Sequence, residues 1–203
     1  MTERRSTLKK RRATQQQYRE AQVQREAMEE LGLSAIHEAG HAVIDELFLD
    51  GVEYVTIEKK RLKNHLTRDG VSYDAISTGF TQPRCERRPL ETLEDFEREC
   101  LNICAGSMAE CIFTECENSE AVAGDSAQLH AYANRLGIAK EQVDAIVEKT
   151  VNRLVQLFSD DRVWKAVKDV AALLLVKTRI SGEEVHGIVE ASGARKFLEE
   201  NPR

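Results

Sequence analysis

Two histidines four residues apart enclose a glutamate in the run His37-Glu38-Ala39-Gly40-His41. On an α-helix this spacing puts both imidazoles on one face, close enough to share one metal ion, and zinc commonly takes imidazole nitrogen as a ligand. Glu38 lies about 100° further round the helix, off the ligand face but within reach of a zinc-bound water. Two neutral histidines and one further carboxylate leave a fourth position for that water, whose pKa the metal lowers towards about 7. Such a set implies hydrolysis. Glu38 takes the water's proton and hands one to a departing amine, while the metal polarises the attacked carbonyl.

A blander reading makes His37 and His41 half-buried packing residues and Glu38 a helix-surface carboxylate. It is weakened because two of only five histidines in 203 residues fall at the one spacing that frames a glutamate. Gly40 also costs a helix about 1 kcal/mol relative to alanine unless something must approach closely there. The third ligand has to come from elsewhere. A metzincin would have a third histidine six residues after His41, where Leu47 stands, and a glycine at Ile44, so that class is excluded. By residue type alone Glu58, His65, Asp69, Asp74, Glu110 and Asp125 all stay open.

The elements that would position these residues follow from periodicity. Leu33, Ile36, Gly40, Val43, Ile44, Leu47 and Phe48 form an apolar stripe that predicts a helix from residue 33 or 34 to about 49, ended by Asp50-Gly51. Residues 14–31 are helix formers with too few apolar side chains to anchor in a core, and predict an exposed arm. Residues 52–58 alternate and are β-rich, and 71–82 carry a weaker β pattern, with a basic loop at 59–70 between them. Pro83 and Pro89 bracket another loop. A helix over 93–114, a loop over 115–124, and helices near 126–136, 140–158 and 161–178 follow, with a short last helix from Gly182 opened by a capping box of Ser181 and Glu184. This is a mainly α (α+β) chain with a small β element: an arm at 1–32, a domain at 33–192 and a tail at 193–203.

Charge limits the partners. The first twelve residues carry +5, which leaves −11 on the rest of a chain whose total is −6. A nucleic-acid binder needs cationic surface on its folded body, so nucleic acid is not an expected partner and the basic tip reads as a solvated terminus. No run approaches the roughly 18 apolar residues that cross a bilayer, and no apolar signal core follows the basic cluster, so no membrane partner and a cytoplasmic location are expected. Five cysteines, Cys85, Cys100, Cys104, Cys111 and Cys116, do not suggest a disulfide framework there. Without any CxxC pair, Cys100, Cys104 and Cys111 on one helical face read as small core thiols.

The run Ile36-His37-Glu38-Ala39-Gly40-His41-Ala42-Val43 resembles the signature of the FtsH-type proteases, the membrane-anchored ATP-dependent zinc peptidases. The likeness continues in order: 52–57 resembles the strand after the family's zinc helix, Gly79-Phe80-Thr81-Gln82 its Gly-Tyr-Thr-x-Gln strand, and 105–113 its Gly-Gly-Arg-x-Ala-Glu-Glu-Ile-Ile helix. Gly124-Asp125-Ser126-Ala127-Gln128-Leu129 resembles the segment bearing the family's aspartate ligand, and Ser181-Gly182-Glu183-Glu184-Val185 its C-terminal helices.

By that resemblance His37, His41 and Asp125 hold Zn²⁺, Glu38 is the catalytic base, and Glu110 orients a zinc histidine. The residues leave other readings beside these. Asp125 also suits a helix N-cap with Gln128 closing a capping box, and Glu110 a plain carboxylate. The chain departs from the family in lacking a GxxxxGK[ST] phosphate loop and in placing Ala105, Ser107 and Cys111 where the family has glycine, arginine and glutamate.

The expectation is a free-standing zinc metalloendopeptidase acting on unfolded or flexible polypeptides without ATP of its own. A separate ATPase or adaptor is a partner this leaves open, and the oligomeric state is undetermined. The competing expectation is a non-catalytic or regulatory zinc-domain interaction protein. An intact Glu38 favours the enzyme, since a purely structural zinc site has no use for a general base.

Overall fold

The computed structural model describes residues 28–58, 60–66, 72–77, 79–84, 90–115 and 119–201, with side chains described except within 60–66, 72–77 and 119–127. The basic tip, most of the expected arm, Cys85, Pro89 and Cys116 lie outside these residues. The fold is mainly α with small antiparallel sheets. No helix among the described residues is long and apolar enough to cross a membrane.

Helix α1 occupies residues 28–48 and carries the apolar stripe inward, with Ile36, Val43 and Ile44 buried. The expected start at residue 33 or 34 is too late, because Leu31 already packs against the core and the helix runs unbroken across the proposed border between arm and domain. The helix ends where Gly51 adopts φ 76°, a left-handed conformation that favours glycine. Strand β1 (Val52–Thr56) follows and is the middle strand of a three-stranded sheet.

On one side of β1 lies β4 (Phe80–Pro83), with Val55 opposite Thr81, and on the other β5 (Arg179–Ser181), with Val55 opposite Ile180. A separate hairpin pairs β2 (Lys60–Leu66) with β3 (Ser72–Ser77). The basic loop expected at 59–70 is therefore largely strand. Its few β-branched residues gave no local signal, and cross-strand pairing outweighed propensity. The single weak β pattern over 71–82 divides into β3 and β4, which belong to different sheets. Pro83 closes β4 opposite Val52, a position an edge strand tolerates because it needs no ladder donor there.

Helix α2 (Leu93–Thr114) opens with a capping box in which Thr92 Oγ1 accepts from the Asp95 amide at 3.1 Å and Asp95 accepts from the Thr92 amide at 3.0 Å. The Thr92 hydroxyl also donates to the Asp95 carboxylate at 2.7 Å, and this bond foremost, then the amide of Glu91, holds the Asp95 carboxyl below its ordinary pKa. α2 separates two apolar clusters. Leu101, Ala105 and Ala109 join α1 and the C-terminal helices, whereas Phe96, Cys100 and Ile103 pack with Leu129, Tyr132, Val143 and Ile146. Burial pushes the Cys100 thiol far up, so it stays a protonated core group.

Helix α3 (Ser119–Leu136) begins well before the expected 126 and converts most of the 115–124 loop into helix. Ser119-Glu120-Ala121-Val122-Ala123 suits a helix, and Gly124 is tolerated inside it. Then come α4 (Lys140–Phe158) and α5 (Asp161–Lys177). Ser181 and Glu184 form the expected capping box at the start of α6 (Gly182–Ser192). The supposed tail forms a further helix, α7 (Ala194–Glu200), because Ala194 is buried and Phe197 and Leu198 pack on the core.

One backbone approach in this assembly demands glycine. A Cβ on Gly182 would lie 1.8 Å from the carbonyl oxygen of Val52. Gly182→Ala is expected to cost roughly 2–3 kcal/mol by prising α6 from β1. The reading is a lower denaturation midpoint at an unchanged slope.

Candidate metal centre

His37 and His41 project from one turn of α1 towards α2, and their Nε2 atoms lie 3.0 Å apart with the rings edge to face. Each ring is held from behind. Nδ1 of His41 donates to the carbonyl oxygen of Asn102 at 2.8 Å, and the Asn102 amide returns a hydrogen bond to the carbonyl of His41 at 3.2 Å. Nδ1 of His37 lies 2.8 Å from Oε1 of buried Glu110, the residue expected to orient a zinc histidine.

A carbonyl only accepts, so in the neutral ring Nδ1 of His41 carries the hydrogen and its Nε2 the lone pair. The Glu110 carboxylate beside Nδ1 of His37 favours the same tautomer there by charge, although the pair is not aligned as a hydrogen bond. Two lone pairs at 3.0 Å repel one another unless a proton or a metal ion lies between them. Two nitrogens bound tetrahedrally to one Zn²⁺, each at about 2.0–2.1 Å, would stand about 3.3 Å apart. The observed separation is within a few tenths of an ångström of that value. Rings anchored through Nδ1 with Nε2 turned to a common point are the usual arrangement of zinc histidines.

Glycines allow this approach. A Cβ on Gly40 would sit 2.7 Å from the Ala105 carbonyl oxygen and 2.8 Å from the Ala109 methyl, so α1 and α2 meet through backbone and small side chains. This explains the glycine inside a helix that the sequence makes conspicuous. A Cβ on Gly106 would fall 2.4 Å from Nε2 of His41 and 2.7 Å from Nε2 of His37. The ring edges thus rest against a residue with no side chain. Gly40→Ala gains about 1 kcal/mol of helix propensity but meets a backbone carbonyl that cannot move aside. We expect a net fall in melting temperature of roughly 3–10 °C, measured by thermal unfolding.

Glu38 is buried and faces β4. Thr81 Oγ1 donates to its Oε2 at 2.7 Å, and a Cβ on Gly79 would lie 2.6 Å from its Oε1. The resemblance spans the segment that holds Gly79 and, in β4, Thr81, but nothing local in the sequence marks either as a neighbour of Glu38.

The remaining ligand candidates are placed differently. Asp125 is the seventh residue of α3, not its N-cap, since the helix starts a turn and a half earlier; its side chain is outside the described residues. The same is true of the side chains of His65 in β2 and Asp74 in β3, while Asp69 lies outside altogether. Glu58 is exposed beyond β1, near the hydroxyl of Thr178. Among the described residues no group of three His, Cys, Asp or Glu side chains is arranged to hold a metal. Asn102, Gly106, Gly79 and Thr81 were not singled out as site residues by type. Asn102 carries no local signal either, since the residues one turn away from it on α2 are Arg98, Glu99, Ala105 and Gly106. Compared with models of known protein families the chain has no match, and no curated protein matches it.

Proposed function

We propose that this chain is a zinc-dependent metalloendopeptidase that hydrolyses peptide bonds in unfolded or flexible polypeptides. The observation that carries this reading is the convergence of two imidazole Nε2 atoms on one point, with both Nδ1 atoms engaged from behind and Glu38 on the same helical turn. His37 and His41 would hold the metal. Asp125 is proposed as the third ligand, on the resemblance of its segment to that of the FtsH-type peptidases.

Zinc supplies Lewis acidity, which acidifies water and polarises a carbonyl. The chain's own residues do the rest. Asn102 and Glu110 fix the orientation and tautomer of the imidazoles, which keeps their lone pairs available. Glu38 accepts a proton and delivers it to the leaving amine, with its carboxylate held by the Thr81 hydroxyl. β4 has a strand neighbour, β1, on one side only among the described residues. An extended polypeptide can add to its other edge by main-chain hydrogen bonds, next to Thr81, the strand residue that bonds Glu38. A folded substrate has no such strand to offer, which favours unfolded chains.

The test is zinc quantitation together with digestion of an unfolded protein by the wild type and Glu38→Gln. Cleavage lost while zinc is retained is the expected result, and cleavage that survives the substitution overturns the mechanism.

A further inference from the structure

The carboxylate of Glu38 is held by a strand distant in sequence. Thr81 Oγ1 lies 2.7 Å from Oε2 of Glu38 and 3.3 Å from its main-chain oxygen. A hydroxyl has one hydrogen, and the shorter contact, to a charged acceptor, takes it. Thr81 is itself fixed, because it pairs with buried Val55 in the middle strand of the sheet and its β-branched side chain has few rotamers. Two residues earlier, Gly79 is buried against the other side of the same carboxylate, leaving no room there even for a methyl group.

We infer that Thr81 is a positioning residue for the Glu38 base, so that the strand proposed to dock the polypeptide also sets the rotamer of the group that moves its proton. This rests on the metallopeptidase reading above. A purely structural threonine would tolerate valine, its isostere, apart from a small change in stability. A positioning hydroxyl would not, since valine leaves Oε2 of a buried carboxylate without this donor.

The first arm uses metal-free protein and asks whether the contact exists. Thr81→Val is expected to lower the melting temperature by roughly 3–6 °C when Glu38 is present, and by markedly less in a Glu38→Ala background. Equal shifts in the two backgrounds would overturn the inference, whatever the activity.

The second arm uses zinc-loaded protein and an unfolded substrate. Thr81→Val should keep full zinc content and an unchanged KM while kcat falls roughly 10- to 100-fold. Thr81→Ser, which restores the hydroxyl, should recover most of the loss. A wild-type kcat in the valine variant, or a serine variant as slow as valine, would also overturn it. Coupling in the first arm together with a wild type that binds no zinc or cleaves nothing would instead sink the metallopeptidase reading, and with it the role of Thr81 in catalysis.

Discussion

Gly106→Ala is expected to weaken zinc binding by about 100-fold or more while leaving the protein folded. Its added methyl would lie 2.4 Å and 2.7 Å from the two nitrogens proposed as ligands. Those rings cannot simply turn aside. His41 is tied to the Asn102 carbonyl and His37 lies against Glu110, so clearing the methyl means breaking the contacts that aim the lone pairs. Loss of such supporting contacts alone typically costs 10- to 100-fold in metal affinity, and here the ligand atoms themselves are displaced as well. The measurement is zinc affinity by competition with a chelator, alongside circular dichroism to show that the helices persist. Wild-type affinity in the alanine variant would mean that the Nε2 pair is not where metal binds.

The second large effect is on turnover. Glu38→Gln should reduce kcat by roughly 10²- to 10⁴-fold, the usual contribution of a general acid–base group. Glutamine is the informative choice because its amide keeps the size of the side chain and can still accept the Thr81 hydroxyl through its oxygen, yet it cannot take up a proton at neutral pH. Seating and chemistry are thereby separated. Zinc stoichiometry and melting temperature should stay near those of the wild type, and only the rate of digestion of an unfolded protein should collapse. A loss of zinc in this variant would move Glu38 from the base to the ligand set.

Much of the site's frame was legible because it is local. The four-residue spacing of His37 and His41 and the anomalous Gly40 are properties of one helix, and helical period alone puts the imidazoles together. The apolar stripes of α1 and α2 and the Ser181–Glu184 box are equally local, which is why the mainly α (α+β) class could be read directly. What escaped notice depends on approach between segments. Gly106 matters only because α2 comes within backbone contact of α1, and Thr81 only because β4 pairs with β1 at one register. β2 follows the same rule, since Lys60-Arg61-Leu62-Lys63-Asn64 has little strand character until β3 lies beside it. α7 has only a short apolar pair, Phe197 and Leu198, with no period of its own, so its helix is not legible in the sequence.

The place of β1 between β4 and β5 has a consequence for how the molecule is made. The strand that follows the histidine-bearing helix is completed on one side by residues 179–181, and the Ile57 amide bonds the carbonyl of Thr178. Glu46, near the end of the same helix, is gripped by Arg195. Val163, Val167, Val170, Val185 and Val189 share its apolar cluster. During synthesis from the N-terminus, His37, Glu38 and His41 therefore emerge more than a hundred residues ahead of β5 and the C-terminal helices that complete the sheet and core around their helix. The sheet and apolar core that carry this helix are closed only once the C-terminal part of the chain has been made.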